Sequence, residues 1–128
     1  MRPNIARPLA ALALLGLLLA VAGCGGSASP PPTYPPGAIV VTAENRRFDT
    51  SELVVPADTV FPLVLVNKDG DPHNIAIRTK GGFDGELIFR HDPIAASTIV
   101  LQVGPIPAGT YHFICEVHPE MNGTVLAQ

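Results

Sequence analysis

Tyr111-His-Phe-Ile-Cys-Glu-Val-His-Pro-Glu-Met-Asn-Gly123 decides how the rest of the chain is read. Its first half alternates, so that Tyr111, Phe113 and Cys115 share one face of an extended strand and His112 takes the other. Its second half sets a thiol (Cys115), an imidazole (His118) and a thioether (Met121) close together at the end of that strand. Thiolate and thioether suit copper(I), and imidazole suits copper in both oxidation states. One more imidazole completes a Cys-His-His set, and Asp71-Pro-His73-Asn74 offers it from a turn before another strand. Singly, each residue has an ordinary structural use: Cys115 as a small buried hydrophobe, Met121 as a gap-filler, His73 as a turn residue. Jointly, at this spacing, they predict one copper ion held by His73, Cys115, His118 and Met121. Zinc also accepts a Cys-His-His set, but methionine is a poor zinc ligand, which favours copper.

Working outward, the chain from residue 38 onward is a series of short β-rich runs separated by turn residues. The runs cover 38–43, 52–55, 59–67, 73–79, 86–90, 94–103, 110–115 and 123–127. Pro62 lies inside the third and predicts a strand start, a bulge or an edge there. Strands at this spacing predict an all-β sandwich with one core and no helix beyond the N-terminal segment. His91, in a turn before Asp92-Pro93, and His112, on the face away from Cys115, read as surface histidines.

The N-terminal part has a different character. Arg2 and Arg7 precede an apolar run over 9–22, about the length of an export-signal core and shorter than the roughly 20 residues of a membrane span. Val21-Ala22-Gly23-Cys24 resembles the lipobox of bacterial lipoproteins, which predicts a signal over 1–23 and a lipid on Cys24. Ordinary cleavage after a small residue is the alternative. A Cys24–Cys115 disulfide is a third, and it would consume the thiol the metal site needs. Residues 24–37 are rich in proline, glycine and serine and read as a semi-rigid spacer, leaving 38–128 as the folded domain. Removing the signal leaves six cations against eleven acids, a net charge of −5. That balance argues against nucleic acid as a partner.

The spacing Cys115-x-x-His118-x-x-Met121 with upstream Pro72-His73-Asn74 resembles the cupredoxins, the small type 1 (blue) copper proteins. Within them it is most similar to the amicyanin and plastocyanin groups, through Pro119 after the second histidine and through Asn67-Lys-Asp-Gly-Asp-Pro-His-Asn-Ile75. The resemblance spans 38–128 and implies a Greek-key β-sandwich with copper near one end. It implies His73, Cys115 and His118 as strong ligands, Met121 as the weak axial one, and Asn74 as a tie between the two ligand loops. Val117 departs from the pattern, which has proline there. A valine keeps its N–H, and a second hydrogen bond from it to the Cys115 sulfur would lower the reduction potential.

These readings point to a non-enzymatic one-electron carrier that is exported, lipid-tethered at a membrane facing the periplasm or the cell exterior, monomeric, and served by redox-protein partners. A copper trafficking or storage protein is the alternative. An enzyme is disfavoured, because four protein ligands leave no open position for substrate.

Overall fold

Strand alternation builds the molecule. In Glu52–Val55, Leu53 and Val55 are buried while Glu52 and Val54 face solvent, and the same two-residue period runs through Ile39–Ala43. Residues 25–128 are described in this computed structural model. The sequence up to Cys24, with the predicted signal and lipidation site, lies outside the described residues. Pro32–Gln128 form one compact unit. Its strands are β1 (Ile39–Ala43), β2 (Glu52–Val55), β3 (Phe61–Asn67), β4 (Ala76–Arg78), β5 (Leu87–Arg90), β6 (Thr98–Val103), β7 (Gly109–Ile114) and β8 (Asn122–Ala127). No helix among the described residues is long and apolar enough to cross a membrane.

The strands form two sheets, ordered β1-β3-β6 and β2-β8-β7-β4-β5. β1 with β3 and β2 with β8 run parallel, and the remaining pairs antiparallel. Parallel neighbours need crossover connections, so the chain passes between the sheets in a Greek-key path rather than a simple meander. The core lies between the sheets and includes Val41, Leu53, Leu63, Leu65, Ile75, Ile77, Phe113 and Val125. The all-β sandwich predicted from the turn spacing is therefore the fold.

Two details refine the strand reading. Pro62 sits in β3, the middle strand of its sheet, yet the β1 pairing begins only at Leu63. Proline thus has a neighbour on the β6 side alone, where it faces Gln102, and no ladder bond is lost to β1. Residues 73–79 do not form one long strand. His73 makes an isolated two-way bridge to Ile94, and β4 starts only at Ala76. Asn74, Ile75, Ala76 and Ile77 are all buried, so the alternation visible in the sequence does not separate a wet face from a dry one here.

Register fixes where the site falls. β7 pairs antiparallel with both β4 and β8, with Ile114 opposite Ala76 on one side and Asn122 on the other. The end of β7, the approach to β4 and the start of β8 therefore meet at one end of the larger sheet. Cys115, His73 and Met121 occupy those three places.

Candidate metal centre

Cys115 follows β7 and is wholly buried, with a free thiol. The loop after it is closed by two backbone bonds: the Met121 N–H donates to the His118 carbonyl at 2.8 Å, and the Cys115 N–H to the Met121 carbonyl at 2.8 Å. This tight return brings His118 beside Cys115 and buries Met121, while Val117, Pro119 and Glu120 stay exposed.

His73, Cys115 and His118 converge from two segments of the chain. Cys115 Sγ lies 3.8 Å from His73 Nδ1 and 4.0 Å from His118 Nδ1, and the two nitrogens are 3.1 Å apart. A first-row ion with bonds of about 2.05 Å to nitrogen and 2.3 Å to sulfur, spread about 120° apart, spans roughly 3.6 Å between nitrogens and 3.8 Å from nitrogen to sulfur. The observed triangle matches to about half an ångström. Thiol, two imidazoles and a buried methionine form a soft donor set, and the residues fit copper.

The ligands are held by their neighbours. His73 Nε2 lies 2.9 Å from Asp69 Oδ2, and a carboxylate only accepts, so Nε2 is the donor in that bond. Two backbone bonds, from Arg46 first and then from Asn45, keep the Asp69 carboxyl below the usual carboxylate range. Asn74 spans the two ligand loops: its Oδ1 accepts the Glu116 N–H at 2.8 Å, and its Nδ2 donates to Glu116 Oε2 at 3.0 Å and to the His91 carbonyl at 3.1 Å. Burial opposes the charge on Glu116, but hydrogen bonds from Asn74 and Arg78, with Arg90 nearby, outweigh it and keep the carboxyl ionised below its ordinary range. The Arg78 guanidinium reaches Glu116 Oε1 at 2.9 Å and the Gly85 carbonyl at 3.1 Å.

Val117, in the loop after Cys115, is 42% exposed. His91 differs from its sequence reading. It is half-buried rather than a surface residue: its Nε2 accepts the Ile75 N–H at 3.1 Å, and its Nδ1 donates to the Asp92 carbonyl at 2.7 Å. Burial pushes its pKa below the ordinary 6.5. Asp69, Glu116 and His91 were not legible as parts of the site. Only the i, i+4 spacing of Asp69 to His73 was available as a signal, and in a turn that spacing has no fixed meaning.

A β-sandwich carrying a largely buried Cys-His-His-Met set at one end defines the type 1 copper class. The chain belongs to the cupredoxins: the cupredoxin-like domain family matches residues 11–127. It is similar to amicyanin of Paracoccus versutus, 33% identical over 95 residues that cover 73% of this chain and 67% of that protein. Among solved structures, a reduced mutant of amicyanin matches with 26% identity and a TM-score of 0.56, over 74% of this chain and 86% of the other. Auracyanin A, a blue copper protein of Chloroflexus aurantiacus, shares the fold with a TM-score of 0.61 at 18% identity, over 71% of this chain and 98% of its own. The family binds one copper, and His73, Cys115, His118 and Met121 make up a blue copper site of that kind.

Proposed function

We propose that this chain is a one-electron carrier rather than an enzyme. Copper supplies a one-electron couple between Cu(I) and Cu(II) when bound. The residues supply a site that need not rearrange between the two states, and the observation that carries the reading is the fixed triangle of ring nitrogens and sulfur. In this reading His73 and Cys115, both wholly buried, would hold the ion strongly with His118, and the buried Met121 would be a weak fourth donor. His118 is the least covered of the four, and its ring edge is the place where an electron enters or leaves. Val117 and Pro119 beside it form an exposed apolar rim on which a redox-protein partner docks.

An absorption spectrum of the copper-loaded protein tests this. An intense visible thiolate-to-copper band, bleached by reductant and lost in Cys115→Ser, is expected; a copper-loaded protein without that band overturns the reading. The rival role of copper trafficking or storage requires the ion to be handed on. Burial of two strong ligands opposes that, and a carrier retains copper through repeated redox cycles in the presence of a competing chelator.

The N-terminal sequence supports export, a lipid on Cys24, and residues 24–37 as a spacer holding a monomeric domain of residues 38–128 off the membrane. On this reading Cys24→Ala releases the protein from the membrane fraction, and retention of the variant there counts against the anchor.

A further inference from the structure

We propose that Asp69 is the positioning residue for His73: its carboxylate fixes which ring nitrogen faces the metal and lowers the reduction potential of the centre. This rests on the copper reading of the site. His73 is wholly buried, so its Nε2–H needs a partner inside the protein. That partner is charged, which makes the hydrogen bond stronger than a neutral acceptor would. The carboxylate is itself held in place. Oδ2 accepts the Arg46 N–H at 2.9 Å as well as His73, and Oδ1 accepts the Asn45 N–H at 2.8 Å. Its own backbone N–H donates to Asn67 Oδ1 at 2.8 Å, and Asn67 Nδ2 is anchored on the Asp71 and Ile94 carbonyls. Asn45 and Arg46 both take a φ of 55°, a left-handed conformation in which both N–H groups end on Asp69.

Two effects follow. The proton stays on Nε2, so the Nδ1 lone pair is presented to the metal without a tautomer change. The anion behind the ring also makes the imidazole a better electron donor, which benefits a doubly charged ion more than a singly charged one. Cu(II) is therefore favoured over Cu(I).

Asp69→Asn keeps an acceptor of the same shape and removes the charge, while Asp69→Ala removes both. In the copper-loaded protein, Asp69→Asn is expected to weaken Cu(II) binding relative to Cu(I) by about tenfold, within the range for outer hydrogen-bond partners of metal ligands. For one electron that is a rise of about 59 mV. Asp71→Asn is the control, because Asp71 pairs with Arg46 and makes no hydrogen bond to His73; its potential is expected to stay near wild type. No rise in Asp69→Asn, or an equal rise in both variants, overturns the proposal. Nitrogen-15 NMR of the metal-free wild-type protein gives a readout independent of copper and of whether the variants fold. A slowly exchanging His73 Nε2–H with an unprotonated Nδ1 is expected. A proton on Nδ1 overturns the proposal and leaves the carrier function standing; an Nε2–H in a protein without a blue copper band overturns the function and leaves the positioning role.

Discussion

His91 and Asn74 act one behind the other, and each makes a sharp prediction. The Ile75 N–H donates to His91 Nε2, so that nitrogen must stay unprotonated. Burial lowers the folded-state pKa below 6.5. The unfolded chain therefore binds a proton more readily, and stability falls as pH drops from about 6.5 through the lowered folded value. His91→Gln retains an acceptor for Ile75 and cannot be protonated. Urea unfolding of the metal-free proteins from pH 7.5 to 5 is expected to show a shallower loss of stability in the variant; parallel curves would refute it. Asn74 is buried and makes three side-chain hydrogen bonds. Asn74→Ala strands the Glu116 N–H and one Glu116 oxygen, at about 1–3 kcal/mol for each unpaired buried group. A loss of roughly 2–6 kcal/mol is expected in denaturant titration, and a loss under about 0.5 kcal/mol would place the loop tie elsewhere.

At the scale of elements, β7 and β8 carry the site, and Gly123 governs how they pack. It sits opposite Phe113 in the register, and a Cβ there would run into the Phe113 ring and the Ser51 carbonyl. Glycine lets the ring lie over β8, where Phe48 packs against it with centroids 5.3 Å apart. Phe113 stands two residues before Cys115, so displacing its ring moves the strand that presents the thiolate. Gly123→Ala is expected to cost about 1–3 kcal/mol by overpacking and to broaden the visible copper band; a variant as stable as wild type would show that the ring has room. The alternation of Tyr111, Phe113 and Cys115 was visible in the sequence because β7 has one core face. The fate of residues 73–79 was not, since that segment is covered on both sides and its first residue is tied to Ile94 instead of to a neighbouring strand. Pro62 likewise needed the register, for nothing in the sequence says that the β1 pairing begins one residue beyond it.

At the scale of the whole molecule, the site joins two segments 42 residues apart, and the protein already ties them without the ion's help. The Asn74–Glu116 and Arg78–Glu116 hydrogen bonds cross between the segments, while the Asp69–His73 bond and the closed Cys115–Met121 loop stiffen one segment each. That explains why ligand identity was legible and ligand support was not. Donor chemistry is written in residue type and spacing, whereas support depends on which backbone and side-chain groups the fold brings together from Asn45, Asp69, His91 and Arg78. It also predicts how copper and stability are linked. A ligand that binds only the folded state at a thousandfold its dissociation constant adds about 4 kcal/mol. For a domain of this size each kcal/mol raises Tm by about 4–8 °C, so a rise on the order of 15–30 °C is expected on loading. If the scaffold is tied independently of the ion, Cys115→Ser without metal melts close to the metal-free wild type, and only the copper increment is lost. Scanning calorimetry of both proteins with and without copper decides it. A metal-free wild type lacking a cooperative transition would mean that the ion, not the hydrogen bonds, holds the two segments together.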